Sequence, residues 1–194
     1  MSIVAAFMVP HPPMIVPEVG RGSEKQVEAT RRAYERVAEE IAALKPDTII
    51  ISSPHANMYL DYFQVARGPE AKGSFASFRA PDVVFKESYD TKLTGMIEYL
   101  ADQKEFPAGT LGEKEKELDH GTMVPLYFIR KKYQGGKLLR LGLSGLPLTM
   151  HYQMGQIIKE AVEKTGVRAV FIASGDLSHK LQKYGPYGFA PEGP

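Results

Sequence analysis

The chain opens on Ile3-Val4-Ala5-Ala6-Phe7-Met8-Val9, an apolar run halted by Pro10. A run that short, stopped by proline, predicts a buried strand. Ser23 then marks a helix start, with Gln26 placed as its capping-box partner. Val27, Tyr34, Val37, Ala38, Ile41 and Leu44 keep the spacing of one buried helical face, and Pro46 closes the segment. Thr48-Ile49-Ile50-Ile51 is β-branched throughout and predicts a second buried strand, which delivers Ser52-Ser53-Pro54-His55. Tyr62 to Ala66 reads as a further strand. Phe75 to Phe85, flanked by glycine and proline, fits neither period.

The second half repeats the alternation. Tyr89, Leu93, Met96, Ile97 and Leu100 mark a helix. Glu113 to Glu117 alternates Glu and Lys, the pattern of a solvated surface stretch. Thr122 to Lys132 predicts a helix with Pro125 in its first turn, where proline is tolerated. Leu138 to Leu143 is strand-like. Met154, Ile157, Ile158, Ala161 and Val162 define another helix, closed by Gly166. Val167 to Ala173 is a last strand, delivering Ser174-Gly175-Asp176. Strand and helix in alternation predict an α/β sandwich with a central sheet flanked by helices. No repeat or linker divides the chain, so residues 1–194 are read as one domain. The closing stretch, Tyr184 to Pro194, carries neither pattern, and a further segment is expected to follow it.

Composition narrows the function. Hydrophobic residues make up 43% and charged residues 24%, which is ordinary for a globular protein. A formal net charge of +1 gives no electrostatic case for nucleic acid or an anionic membrane. With no cysteine, disulfides, thiolate metal sites and a cysteine nucleophile are excluded. The N-terminus lacks a basic region and meets Pro10 too early for a signal peptide, and no apolar run reaches membrane-span length. The expected location is cytoplasmic.

The chemistry lies in four of the five histidines. They are His11 in Pro10-His11-Pro12-Pro13, His55 in Ser53-Pro54-His55, His120 in Leu118-Asp119-His120-Gly121, and His179 in Ser174-Gly175-Asp176-Leu177-Ser178-His179. In an α/β protein, loops after the strands gather at one edge of the sheet, where ligands bind. Imidazole is both a metal ligand and a proton carrier near neutral pH. His11 and His55 each follow a predicted strand directly, which suits metal ligands. The ordinary alternative is a loop histidine bonded to a backbone carbonyl. His120 precedes a predicted helix, whose N-terminal field favours a neutral base, or it is a polar residue of the cap region. Asp119 reads as an exposed or capping carboxylate. Asp176 is placed to hold its loop or to orient a histidine. A serine nucleophile at Ser174 or Ser178 lacks the Gly-x-Ser-x-Gly elbow. His151 reads as structural, and Tyr184 and Tyr187 as pocket-lining or surface residues.

Taken together and in this order, the four motifs resemble the class III extradiol ring-cleavage dioxygenases, over essentially the whole chain. The nearest likeness is to the branch associated with AMMECR1 and Memo-like proteins, the AmmeMemoRadiSam grouping. The resemblance implies an α/β sandwich and a mononuclear non-haem Fe(II) centre that opens a catechol-like ring with O2. It implies that His11 and His55 match the metal ligands and that His120 and His179 match the acid/base histidines. A glutamate completes the family's 2-His-1-carboxylate set, and no motif before Pro194 matches it. Glu192, in a Pro-Glu-Gly loop, is not given that role, so this chain is expected to hold an incomplete site. The expected partners are an aromatic small molecule and O2. A second copy of the chain and a C-terminal AMMECR1-like domain are further partners that the resemblance leaves open. Two other functions stay open beside it: a Memo-like metal-binding or redox module without ring cleavage, and a zinc-assisted hydrolase.

Overall fold

The computed structural model describes residues 2–113 and 117–193. In chain order its elements are β1 (Ile3–Val9), α1 (Pro17–Gly20), α2 (Glu28–Leu44), β2 (Thr48–Ser53), β3 (Phe63–Gln64), β4 (Glu70–Phe75), β5 (Ala80–Ser88), α3 (Thr91–Gln103), β6 (Ala108–Gly109), α4 (His120–Lys132), β7 (Lys137–Gly142), α5 (Leu148–Thr165) and β8 (Ala169–Ser174). The central sheet has four strands in the order β1-β8-β2-β7. Every neighbouring pair in it is parallel. All four strands therefore end at one edge.

The strand order positions the site. β8 comes last in the sequence but lies between β1 and β2, with Val9 opposite Ser174 and Ser52 opposite Ala173. The loops after β1, β8 and β2 thus leave the sheet side by side, at strand spacings of about 4.8 Å. Side chains alternate between the two faces. Ile49, Ile51, Val170 and Ile172 join the core with Tyr34 and Ile41 of α2 and Val124 of α4. Ile50, Leu139 and Ala169 join the core with Leu93 and Ile97 of α3 and Ile157 and Ile158 of α5. Burial of all six residues of β2 follows, because a parallel sheet covered by helices on both faces has no solvent side. A hairpin of antiparallel β4 and β5 packs Phe75 and Phe85 into the first of these cores. Among the described residues no helix is long and apolar enough to cross a membrane.

Most elements lie where the hydrophobic pattern places them; the departures have local causes. Ser23 to Val27 is a 3-10 turn, and α2 begins at Glu28, capped by no side chain. The expected Ser23–Gln26 capping box is therefore not the helix start. The Ser23 hydroxyl instead donates to the Gly20 carbonyl, closing the preceding turn. The strand expected over Tyr62 to Ala66 shrinks to Phe63–Gln64, paired with β6 outside the main sheet. The ambiguous stretch from Phe75 to Phe85 ends β4, turns at Ala76–Phe78 and runs into β5. Helix α4 starts two residues earlier than its apolar run, at His120, because Asp119 caps it. In the charged stretch, Glu113 and Glu117 are exposed, and residues 114–116 lie outside the described residues. The tail carries one isolated bridge, Leu181 to Phe189.

Candidate metal centre

Three histidines converge at the carboxyl edge of the sheet. His11 follows β1 across Pro10, whose carbonyl accepts a hydrogen bond from Tyr34 of α2. That bond and the flanking prolines stiffen the loop. The His11 side chain is 1% exposed. Its Nδ1 lies 2.9 Å from the Ser174 hydroxyl at the end of β8. Its Nε2 is buried.

His55 follows β2 and is more open. The Ser53 hydroxyl oxygen accepts its backbone N–H at 3.2 Å. His120 sits in the first turn of α4. The ring centroids are 4.9 Å apart for His11 and His55, 5.5 Å for His11 and His120, and 3.9 Å for His55 and His120. One ring nitrogen from each of the three lies within 4.8 Å of those of the others. Nitrogen donors on one zinc-sized ion, at about 2.0–2.1 Å each, stand roughly 3–4 Å apart.

Asp176 borders the cluster from the loop after β8. Its Oδ1 is 3.1 Å from His11 Nε2 and its Oδ2 is 3.7 Å from His55 Nε2. Burial lowers the His11 pKa; Asp176 opposes this and His55 adds to it. Burial also lowers the His120 pKa, and the neighbouring His55 and His11 lower it further. The direction for His120 is the one its helix position predicts, but removal from water is the main cause. Both imidazoles are therefore held in the neutral, lone-pair-bearing form.

This has a consequence for the metal-free protein. The unfolded chain keeps histidines near 6.5, the ordinary value, so below that pH it binds protons that the folded state resists. The stability contributed by neutral His11 and His120 is complete above about pH 6.5 and is lost as the pH falls through their lowered folded values. Urea midpoints measured at pH 7.5 and 5.5 should fall on acidification. The fall should shrink when His11 and His120 are both glutamine; an undiminished fall would place the acid sensitivity elsewhere.

Asp119 locks the frame around the histidines. It caps α4 by accepting the Thr122 N–H at 3.0 Å and the Thr122 hydroxyl at 2.8 Å. The Ser53 hydroxyl reaches it from β2 at 2.5 Å, and Arg140 reaches it from β7 at 3.2 Å. Of the two readings of Asp119, exposed or capping, the structure has the cap, and its side chain is only 11% exposed because it partners Arg140, itself 3% exposed. Asp119→Ala removes the cap and the carboxylate facing a buried guanidinium. The expected cost is about 3 kcal/mol, read from urea unfolding. A loss under about 0.5 kcal/mol would show that water replaces the carboxylate without penalty. Gly121 follows for a steric reason: a Cβ there would collide with Ser53 Oγ and stand 3.3 Å from His55 Cδ2.

His179 stands apart from this group. It is exposed, and its ring packs on Tyr187 at 4.8 Å between centroids. Tyr184 is fully exposed, and Glu192 is exposed. His151 is structural: its ring meets Phe63 at 4.7 Å, and its Nε2 faces the Ser144 N–H at 3.4 Å. Two residues escape a reading by motif. Phe78, in the turn between β4 and β5, sets its ring 5.4 Å from His120 and forms an apolar wall. Arg140 interrupts the run Leu138-Leu139-Arg140-Leu141. A single charge inside a buried strand is the signal that marks it as paired.

A protein of Clostridium acetobutylicum, CA_C1420, is 43% identical over 200 residues, covering 100% of this chain and 43% of its own length. The 2-aminophenol 1,6-dioxygenase beta subunit of Pseudomonas sp is 25% identical over 195 residues, covering 92% of this chain and 63% of its own length. The chain thus spans less than two thirds of either relative. Residues 5–192 match the LigB family, the catalytic LigB subunit of aromatic ring-opening dioxygenase. With that match running from β1 into the tail and taking in all the histidine motifs, the chain belongs to the LigB family.

Proposed function

We propose that this chain carries the metal-binding and acid/base histidines of an Fe(II)-dependent extradiol-type dioxygenase that opens a dihydroxy-aromatic ring. The observation that carries the reading is the buried Nε2 of His11, 3.1 Å from Asp176 Oδ1 and grouped with the ring nitrogens of His55 and His120. Neutral imidazoles grouped beside a carboxylate fit a first-row divalent metal. His11 and His55 would hold it. When bound, iron(II) brings a catechol-like diol and O2 together and passes electron density between them.

The protein's own groups do the rest. His120, neutral and beside Phe78, is placed to take a hydroxyl proton from an aromatic ring lying against that wall. Asp119 and Ser53 hold the His120 and His55 backbones in register. The acid role for His179 rests on the resemblance alone, as does placement in the AMMECR1- and Memo-associated branch; a cytoplasmic location rests on the sequence reading alone. The family's glutamate ligand has no match in these residues. We propose that it comes from polypeptide outside them, since both relatives are longer than the span they share with this chain.

Three imidazoles also suit zinc, which gives the hydrolase reading its one specific support. The test, on protein extended by the polypeptide that supplies the carboxylate, is anaerobic purification, metal analysis, and oxygen uptake with a panel of catechols and 2-aminophenol. The panel includes 2-aminophenol because one relative is named for it. Iron with substrate-dependent oxygen uptake supports the dioxygenase. Zinc without oxygen uptake overturns it.

A further inference from the structure

We infer that Ser174 is a positioning residue that fixes the His11 imidazole as the tautomer protonated on Nδ1, leaving Nε2 as a bare lone pair aimed into the centre. In an α-helix the carbonyl of residue 121 is closed by the N–H of residue 125. In α4 residue 125 is Pro125, which has no N–H. The Gly121 carbonyl is buried and takes its hydrogen bond from the Ser174 hydroxyl at 2.5 Å instead.

A carbonyl only accepts, so Ser174 uses its single hydroxyl proton there. The contact of 2.9 Å between Ser174 Oγ and His11 Nδ1 must then be donated by the imidazole. A neutral imidazole has one N–H, so Nε2 carries none. Nε2 in turn lies 3.1 Å from Asp176 Oδ1. A lone pair against a carboxylate is repulsive, and a cation between them removes the repulsion. Without the Ser174 acceptor, the preferred tautomer would place the proton on Nε2, toward Asp176, and block that atom as a ligand. The proline in α4, the free carbonyl, the serine and the histidine thus form one relay linking the helix to the ligand atom. Outer partners of this kind typically contribute 10–100-fold to metal affinity.

This inference rests on the metal-centre reading for its purpose, but the tautomer is measurable without metal. The experiment uses the full chain, metal-free at pH 8, with histidine ring nitrogens labelled with 15N. Long-range proton–nitrogen correlation assigns the protonated nitrogen, and His11→Gln identifies the His11 signals. Wild type and Ser174→Thr, which keeps the hydroxyl, should show the proton on Nδ1. Ser174→Ala should move it to Nε2. Zn(II) titration should then give an affinity about 10–100-fold lower for Ser174→Ala, restored in Ser174→Thr. A His11 proton on Nε2 in wild type overturns the inference even if no variant folds, as does an unchanged tautomer in Ser174→Ala. The expected tautomers without Zn(II) binding by wild type would support the role of Ser174 and sink the metal-centre reading.

Discussion

His11→Ala is expected to leave the protein without stoichiometric metal and without ring cleavage. The loss should exceed the roughly 10–100-fold in metal affinity typical of losing an outer-sphere partner, because the ligand itself is removed. His11 is the most buried member of the cluster, 1% exposed, and its Nε2 faces the Asp176 carboxylate. What disappears is the lone pair that Asp176 and His55 surround. His11→Gln keeps a polar group in the same space and separates loss of a ligand from loss of packing. Both variants should fold, as judged by circular dichroism, and both should fail to retain iron after anaerobic reconstitution. His151→Ala, in a histidine that packs on Phe63 away from the cluster, should load iron like wild type. Iron bound by His11→Ala within about threefold of wild type would show that the ion, if any, sits elsewhere.

Much of this arrangement is legible in the sequence because parallel strands leave a strong trace. Thr48-Ile49-Ile50-Ile51 and Val170 to Ile172 are apolar on both faces, as strands covered on both sides must be. Their ends are then points where polar residues matter, and His11, His55 and Asp176 all stand just beyond such ends. What the sequence does not show is strand order. Nothing in the one-dimensional pattern says that β8 inserts between β1 and β2, yet that insertion sets Asp176 between His11 and His55 and brings Ser174 to His11. Phe78 and Arg140 stay hidden for a related reason. Phe78 lies in a stretch with no period, and Arg140 shows in its apolar run only as a lone charge whose partner the sequence does not name. Their meaning comes from contacts across the fold, with His120 and Asp119. Pro125 is legible as a tolerated helix proline, but its effect on the Gly121 carbonyl becomes visible only when Ser174 is seen to fill it.

On the proposed function, His120 has a different role from His11. His120→Gln is expected to retain iron while turnover falls by about 10²–10⁴-fold, the usual contribution of a general acid or base. The ring is neutral, because burial and two neighbouring imidazoles disfavour its charged form. It hangs from the first turn of α4, fixed by the Asp119 cap, and so faces the centre from a different element than the strand-end histidines. A base in this place needs a fixed ring and a pKa near the working pH more than it needs a metal. Glutamine keeps the size and polarity of the side chain but cannot take up a proton. With the substrate identified in the oxygen-uptake panel, kcat should fall with little change in KM, because a proton transfer made only in the transition state is removed. Added imidazole should restore part of the rate by entering the space beside Phe78. Iron content is the deciding measurement. If His120→Gln loses iron together with activity, His120 is a third nitrogen ligand. The centre would then be a three-imidazole site of the kind zinc favours, and the acid/base assignment would fall.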